Sequence, residues 1–423
     1  MSKPLAVVSC PIDTYSGYGA RARDFVKALI NLDKYEVKVL SQRWGNTRFG
    51  YLEDHNELDL ISKIIPNLAS KPDIWFQITV PNEFQPVGNY NIGVTAGMET
   101  TLVHPTWIDG CNRMDLVLTS SEHSKTVFES SRFEEKDKNN NNSIRKIQLQ
   151  KPVEVLFEGV DISKYFETKE TLDLTGVEED FVFLFVGHWL QGDIGHDRKN
   201  VGLLIKSFLE TFKNKLKQPA LLLKTSMVGS SIMDQEALKK KIDLIRSTVK
   251  GKLPNVYLIH GDLSDSEINQ LYNHPKVKAM VSLTKGEGFG RPLLEFTTTG
   301  KPVMASGWSG QKDFLTIENS LLIGGELEQV HASGAVKDMI LTEAQWFKPN
   351  ELEIAQGFKD LYKNYKNYSV KGKKQRHLTK SKFTFDHMQS TLNTILTSTV
   401  PDFPKKVELT IPKLNLPKLQ VNG

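Results

Sequence analysis

The chain has little of what marks secreted, membrane-spanning or metal-stabilised proteins. It has only two cysteines, Cys10 in an apolar run and Cys111 in a Trp-rich segment, so we expect two buried thiols and no disulfide or zinc cluster. Its longest apolar run, residues 181–187, is far shorter than a membrane-spanning helix, and no signal-peptide pattern precedes the first strand-like segment. We therefore expect a cytoplasmic protein. A length of 423 residues and ordinary globular composition predict two or three domains.

One stretch lacks acidic residues altogether. Between Lys363 and Lys382 lie eight Lys or Arg residues and no Asp or Glu, so the rest of the chain is mildly acidic although the net charge is +4. Two interpretations remain open: a solvated helix face, or a docking surface for a polyanion such as DNA. Tyr362, Tyr365 and Tyr368 have helical spacing beside it, which fits either packing or base stacking.

Apolar strand-like runs alternate with amphipathic helical stretches along most of the chain. Several runs are apolar on both faces, which is typical of a parallel sheet covered by helices, and the alternation predicts a doubly wound α/β architecture. The predicted strands are 5–10, 36–40, 74–79, 90–95, 116–119, 153–157, 181–186, 220–224, 256–259, 279–283 and 302–305. The predicted helices are 20–30, 123–129, 201–212, 230–248, 265–271 and 292–299.

An acidic, polar segment without strand periodicity interrupts this pattern at residues 158–180, and the parts on either side of it are expected to join near residues 165–178. It predicts two Rossmann-like domains, residues 1–170 and 171–385, with a cleft between them. Residues 386–423 are expected to form a C-terminal helix and an extended tail that pack back on the body. Loops that follow strands in both halves should line the cleft, because open α/β sheets bind ligands beyond the carboxyl ends of their strands.

The most informative segment follows the predicted strand 279–283. Gly286, Gly288 and Gly290 form a loop whose amides can approach a ligand, and Pro292 stands at a first helical position. Glu287 lies in this loop and Glu295 one turn into the helix. We expect the helix start to keep both carboxylates ionised, so that each accepts hydrogen bonds from paired sugar hydroxyls, one from a donor sugar and one from a ribose. Two dipole-favoured acids without function, or a glycosidase pair, are the alternatives.

Glu287 and Glu295, with seven residues between them, resemble the E-x7-E signature of retaining GT-B glycosyltransferases, especially glycosyltransferase family 4. The similarity extends from the loop of Gly17 and Gly19 to about residue 315. It implies that Glu295 holds the ribose hydroxyls and that Glu287 lies against the donor sugar near its anomeric centre. It further implies that the amides of Gly288, Phe289 and Gly290 help to cradle a nucleotide-sugar donor.

Other segments fit the same resemblance. The strand 181–186 followed by Arg198 and Lys199 resembles the family's basic segment that grips the diphosphate, although the loop 190–197 departs from the usual pattern. A solvated pair at a helix start is the alternative for Arg198 and Lys199. The loop of Gly17 and Gly19 would close over the donor phosphates, or be a plain turn between strand and helix.

Three further residues complete the predicted site. Glu99 lies in a stretch that resembles one branch of the family and would reach the cleft from the N-terminal side, unless it only braces its loop. Lys224 ends a strand that faces the cleft and would meet a phosphate. Asp262 follows the strand 256–259 and would border the nucleotide base. The resemblance implies transfer with retention of configuration, and we expect no cofactor and no metal, since Arg198, Lys199 and the helix start supply positive charge.

The acceptor is suggested only by a finer resemblance. Segments at 81–84, 93–100, 112–115 and 307–310 are similar to glycosyltransferases of T-even-like phages, some of which modify hydroxymethylcytosine in DNA. This implies an enzyme in the host cytoplasm that docks DNA through the basic stretch and acts on an extruded base. The alternatives are a glycan or lipid-linked acceptor, and a nucleotide- or nucleic-acid-binding protein without activity.

Overall fold

The computed structural model describes residues 3–136, 144–227 and 231–403. The Asn-rich loop expected near residues 137–143 and most of the predicted tail, residues 404–423, lie outside the described residues. The strands are β1 (Leu5–Cys10), β2 (Glu36–Ser41), β3 (Ile74–Ile78), β4 (Tyr90–Val94), β5 (Leu116–Thr119), β6 (Arg132–Lys136), β7 (Ile144–Gln148), β8 (Val153–Val155), β9 (Val182–Val186), β10 (Ala220–Lys224), β11 (Val256–Ile259), β12 (Val277–Ser282), β13 (Val303–Ser306), β14 (Leu321–Ile323), β15 (Gly325–Gln329) and β16 (Gln345–Pro349).

The helices surround these strands, and most begin at a residue whose side chain caps the first free amides. They are α1 (Gly17–Asn31), α2 (Tyr51–Asp54), α3 (Leu58–Ile61), α4 (Pro105–Asn112), α5 (Glu122–Ser130), α6 (Val201–Phe212), α7 (Ile232–Ser247), α8 (Asp265–Asn273), α9 (Arg291–Thr297), α10 (Glu351–Lys363), α11 (Tyr365–Lys382) and α12 (Phe385–Thr399). None of the helices within the described ranges is long and apolar enough to cross a bilayer.

Two six-stranded parallel sheets organise the molecule. The first has the order β2-β1-β3-β4-β5-β8 and the second the order β11-β10-β9-β12-β13-β14. Consecutive residues of a strand enter different cores, as Val7 and Val8 do in the first sheet and Phe183 and Leu184 in the second. Helices therefore cover both faces of each sheet, which is why these strands are continuous apolar runs. The doubly wound α/β prediction is confirmed, and so are the two buried free thiols.

The chain crosses between the sheets twice. It first passes from β8 to β9 through residues 156–181 and later returns through α12, whose Met388 and Leu392 enter the core of the first sheet. The two crossings meet at Val160, whose amide donates to Phe383 O at 2.9 Å and whose carbonyl accepts from Phe385 N at 2.8 Å. The C-terminal helix thus belongs structurally to the first domain, formed around the first sheet; the second domain is formed around the second sheet.

An excursion after β14 joins the domains at another point. Strands β15 and β16 form a two-stranded antiparallel sheet that the sequence pattern did not predict. The carbonyl of Gln345 accepts from Thr101 N of the first domain at 2.9 Å, and Phe347 N donates to Lys285 O of the second domain, also at 2.9 Å. This small sheet braces the two sides of the cleft.

The basic stretch begins with Lys363 at the end of α10 and continues along α11, at the edge of the second sheet where the strands begin. Tyr365 at the start of α11 packs edge-on against Phe181, which precedes β9, and Tyr362 packs against the same ring. Tyr368 donates to the Asp360 carboxylate. The three tyrosines therefore contact other parts of the protein, which agrees with the packing interpretation and not with base stacking. Six lysines of the stretch are exposed: 363, 366, 373, 374, 380 and 382.

Candidate functional site

A cavity of about 410 Å³ lies between the two domains, at the carboxyl ends of their strands. The first domain contributes six of its lining residues: Gly17, Tyr18, Trp44, Ala96, Glu99 and Glu158. The second contributes the rest: Val186, Gly187, His188, Arg198, Lys199, Lys224, Thr225, Ser226, Glu287, Gly288, Phe289, Gly290, Arg291 and Pro292. Nine of the twelve predicted site residues line this cavity; Gly19, Asp262 and Glu295 do not.

The glycine loop between β12 and α9 runs against the first domain. A Cβ atom on Gly286 would lie 1.9 Å from the backbone oxygen of Glu99, and one on Gly288 would lie 2.0 Å from that of Ala96. Ser120 of the first domain also donates to Gly288 O at 3.0 Å. The absence of side chains at Gly286 and Gly288 therefore serves the contact between domains, whereas Gly290, at φ +101°, starts α9 in a conformation that favours glycine.

Glu287 is the anion at the centre of the cavity wall. Its side chain is 9% exposed, and Lys199 Nζ donates to both carboxylate oxygens, at 2.5 and 2.7 Å. Its backbone amide donates to Ser309 Oγ at 2.9 Å, which fixes the loop. Burial opposes the charge, but Lys199 and Arg198 outweigh it and hold the pKa of Glu287 below its ordinary value. The expectation of an ionised carboxylate is met at Glu287.

Arg198 links the two domains electrostatically. Its Nη1 lies 3.1 Å from Glu99 Oε1 of the first domain and 3.6 Å from Glu287 Oε2 of the second. Burial opposes its charge too, yet Glu99 and Glu287 raise the pKa of Arg198 above its ordinary value. Two cations and two carboxylates thus alternate across the cleft in the order Lys199, Glu287, Arg198, Glu99.

Glu295 does not line the cavity, because the side chain of Arg291 lies between Glu295 and the cavity. Arg291 Nε lies 2.8 Å from Glu295 Oε1, one helical turn away, while its Nη1 lies 2.5 Å from Asp24 and 4.0 Å from Glu158. Tyr272 donates to Glu295 Oε2 at 3.4 Å. Burial raises the pKa of Glu295 to about 7, although Arg291 partly offsets this. The helix start therefore does not keep the pKa of Glu295 low as predicted, since burial outweighs the one guanidinium, which Glu295 shares with Asp24 and Glu158.

The raised pKa of Glu295 should make the free energy of unfolding depend on pH. With a folded pKa of about 7 against an ordinary value of 4.5, Glu295 keeps a proton that the unfolded chain has lost, so the free energy of unfolding falls as pH rises between these values. Glu295→Gln removes this contribution, which amounts to at most about 3 kcal/mol. Urea unfolding from pH 5 to 8 should give a flatter profile for the variant than for the wild type. Parallel profiles would contradict the raised pKa.

Of the remaining predicted residues outside the glycine loop, two line the cavity and two lie outside it. Gly17 lines the cavity, but Gly19 is buried against Thr14, and its amide donates to the capping Ser16 Oγ at 2.9 Å. Lys224 lines the cavity, where its Nζ donates to Gly261 O at 2.7 Å and burial lowers its pKa. Asp262 instead lies 3.8 Å from Arg48 of the first domain, outside the cavity.

The amides of the glycine loop are available to a ligand. Among the described residues, the backbone N–H groups of Gly288, Phe289 and Gly290 donate to no protein acceptor, and all three residues line the cavity. The ring of Phe289 is buried against Phe314, so this residue presents only its backbone. Free amides at a helix start favour negatively charged groups. Within the same described ranges, no group of three or more His, Cys, Asp or Glu side chains is arranged to hold a metal ion.

Sequence reasoning missed several cavity residues. Trp44 follows β2 in a polar loop without periodicity, and it reaches the cavity by stacking on Tyr18, with ring centroids 4.1 Å apart. His188 bonds Ser226 Oγ at 3.1 Å, and its burial beside Lys199 lowers its pKa, so it is neutral. Arg291 had a usable signal, because it stands between the two motif glutamates at the first position of α9.

Comparison with known proteins identifies the fold. No protein-family model matches the chain, and no curated protein matches it. The sucrose-phosphate synthase of Thermosynechococcus elongatus superposes with a TM-score of 0.63 at 13% identity, over 94% of this chain and 98% of that one. A glycosyltransferase from Rickettsia africae gives 0.64 at 12%, over 95% and 100%. Anabaena HepE in complex with UDP and glucose gives 0.59 at 14%, over 93% and 100%. The chain has the two-domain GT-B fold of these structures.

Proposed function

We propose that this protein is a retaining glycosyltransferase that moves a sugar from a UDP-sugar donor to a hydroxyl acceptor. The observation that carries the proposal is the buried Glu287 carboxylate, ionised and held by Lys199 and Arg198 in a cavity lined by both domains. Such an arrangement supports the proposal, because one negative and two positive charges can stabilise the charges that develop when a sugar–diphosphate bond breaks. The similar HepE structure, which holds UDP and glucose, supports a uridine-linked donor.

The second domain provides what a diphosphate requires. Lys199 uses two of its three N–H groups on Glu287, and Lys224 makes no ion pair within the described residues, so donors remain for phosphate oxygens. The free amides of residues 288–290 add further donors at the start of α9. The leaving diphosphate gains charge in the transition state, so these groups stabilise it more than they stabilise the bound donor.

In the proposed reaction the bond between the anomeric carbon and the diphosphate oxygen breaks, and its electron pair stays on the diphosphate. Glu287 stabilises the positive charge that develops on the sugar ring. The acceptor oxygen attacks from the face that the diphosphate leaves, so configuration is retained, and the acceptor proton passes to the departing phosphate oxygen. Because Glu295 lies behind Arg291, these two acids do not flank one bond as a glycosidase pair does.

A panel of UDP-sugars tests the donor, with UDP release as the readout and nuclear magnetic resonance of the product as the test of configuration. UDP release with at least one donor and an unchanged anomeric configuration are expected. If no UDP-sugar is consumed, a nucleotide-binding protein without activity becomes the better interpretation. An inverted product would exclude the retaining mechanism.

Transfer is expected to be independent of added divalent ions. Arg198, Lys199, Lys224 and Arg291 all line the cavity from the second domain and bring the positive charge that a metal ion brings elsewhere. Turnover in EDTA should stay within about two-fold of the untreated rate. A dependence on Mg²⁺ or Mn²⁺ that is restored by adding the ion back would contradict this part of the proposal.

For the acceptor we propose hydroxymethylcytosine in DNA. The exposed lysines of α11 are the supporting observation, since clustered cations displace counterions from a phosphate backbone. Asn319, Lys373, Lys374 and His377 line a groove on this helix. It lies at the end of the second sheet where the strands begin, opposite the cavity, so α11 would hold flanking DNA and not the reacting base.

Incubation of hydroxymethylcytosine-containing DNA with the UDP-sugar panel, followed by nucleoside mass spectrometry, tests this acceptor. A mass gain is expected only for the hydroxymethylated duplex. Reversing the charge of Lys373 and Lys374 should raise the KM for DNA, whereas the same change at Lys239 and Lys240 on α7 should not. No mass gain with any donor that the enzyme consumes would favour a glycan or lipid-linked acceptor.

A further inference from the structure

The two halves of the cavity differ in charge. Every Lys and Arg among its lining residues belongs to the second domain. The half contributed by the described residues of the first domain contains two carboxylates, Glu99 and Glu158, two aromatic residues, Tyr18 and Trp44, and no cation. The cations that could bind a diphosphate therefore come from the second domain only. The side formed by the first domain is suited to a group without negative charge.

The arginines near this half are engaged elsewhere. Arg48 lies 2.6 Å from Asp54 and 3.8 Å from Asp262, and it covers the ring of Tyr15. Arg43 lies over the exposed ring of Phe49. Neither of them lines the cavity. An acceptor phosphate placed beside Trp44 would thus find no cavity cation among the described residues of the first domain. Two cations of the second domain are already engaged, since Arg198 lies 3.1 Å from Glu99 and Arg291 lies 4.0 Å from Glu158.

Trp44 is held as a fixed surface. Its ring is stacked on Tyr18, at 4.1 Å and 27° between planes, and the Tyr18 hydroxyl is anchored to Thr95 Oγ1 at 3.1 Å and to the Ala96 amide at 3.2 Å. The loop that bears Trp44 is tied down before and after it: Gln42 N donates to Cys10 O at 2.9 Å, and Arg48 O accepts from Tyr15 N at 3.0 Å. A preorganised aromatic ring binds a flat or apolar ring face at low entropic cost.

We infer that Trp44 is the platform of an acceptor subsite, on which an uncharged ring stacks while it presents its hydroxyl to the cavity. This rests on the proposed glycosyl transfer and gives the acceptor its chemical class: a neutral ring, either a hydroxymethylated nucleobase or a pyranose. A phosphate attached to that sugar or base is disfavoured, because Glu99 and Glu158 already engage Arg198 and Arg291. Trp44 selects the acceptor and takes no part in holding the diphosphate.

Calorimetric titration with saturating UDP, which occupies the proposed diphosphate site, tests the subsite independently of turnover. The probes are 5-hydroxymethyl-2′-deoxycytidine and methyl glucoside, and glucose 6-phosphate is the charged counterpart of the second. At least one neutral ring is expected to bind, more tightly than glucose 6-phosphate, and the two neutral probes distinguish a nucleobase from a sugar. Trp44→Ala should weaken that binding roughly ten-fold, and Trp44→Phe should weaken it less.

Phe49→Ala is the matched control, because it removes an exposed aromatic ring of the same loop outside the cavity. It should bind the neutral ring as the wild type does, and UDP should bind all variants equally. The inference is overturned if Trp44→Ala binds like the wild type, if neither neutral ring binds, or if glucose 6-phosphate binds more tightly. Failure of the proposed transfer would appear separately, as absence of UDP-sugar consumption by the wild type.

Discussion

Glu287→Gln is expected to lower turnover by about 100-fold to 1,000-fold while UDP binding persists. The carboxylate is buried between Lys199 and Arg198, and a neutral amide of the same shape removes its charge but keeps its volume. In the proposed reaction, the positive charge that develops on the donor sugar would then lose the carboxylate that stabilises it. Steady-state kinetics with the best UDP-sugar, together with UDP titration, separates loss of chemistry from loss of binding.

A control is needed because the change leaves two cations without their anion, which itself costs stability. Glu57→Gln breaks a comparable pair, in which Lys27 Nζ lies 2.7 Å from Glu57, outside the cavity. It should unfold at a similar or slightly lower temperature than the wild type and keep full turnover. A Glu287→Gln protein that is folded and turns over within about three-fold of the wild type would exclude the proposed role of this carboxylate.

Gly286→Ala is expected to lower kcat/KM by about 100-fold without touching the cavity. The new methyl group would lie 1.9 Å from the backbone oxygen of Glu99, so the glycine loop and the first domain must move apart. The change separates Arg198 from Glu99 and shifts the two cavity walls by about an ångström, a displacement that costs about two orders of magnitude in rate. Gly286 does not line the cavity, so a direct clash with a ligand is excluded as the cause.

Gly176→Ala provides the comparison, since an added methyl group there meets no atom within 4 Å. It should leave kcat/KM unchanged. The radius of gyration from small-angle scattering should rise slightly for Gly286→Ala and stay constant for Gly176→Ala. Equal activity of the two variants would show that the domain contact at Gly286 does not position the reacting groups.

The strands were the most predictable part of the fold. Each predicted strand appears, several with unchanged bounds, because residues such as Val7 and Val8 are buried on opposite faces and leave an uninterrupted apolar run. Strand β14, of three residues, and the two antiparallel pairs, β6 with β7 and β15 with β16, were missed. They are too short or too exposed to show a period, and the place of the sheet of β15 and β16 is set by contacts with Thr101 and Lys285, far away in the chain.

The site was predictable where chemistry follows chain position and not where it follows packing. Glu287 was predicted because a glycine loop follows a buried strand, whereas Lys199 was predicted only through its resemblance to the basic segment of retaining GT-B glycosyltransferases. The spacing predicted that Glu295 lies on the helix. It did not predict that Arg291 stands between Glu295 and the cavity, or that the Arg291 guanidinium pairs with the Glu295 carboxylate. Trp44 was invisible for a similar reason, since only its stacking on Tyr18 brings it to the cavity.

The double crossing at Val160 and Thr384 restricts how the cleft opens. Two backbone segments lie side by side there, joined by hydrogen bonds on either side of Val160, and a Cβ on Gly159 would lie 2.4 Å from Thr384 O. A single connecting segment would allow the domains to rotate about many axes. Two adjacent segments that are hydrogen-bonded to each other restrict the rotation to one hinge axis. The two domains should therefore rotate about one axis only. Glu99 would then return to Arg198 each time the cleft closes.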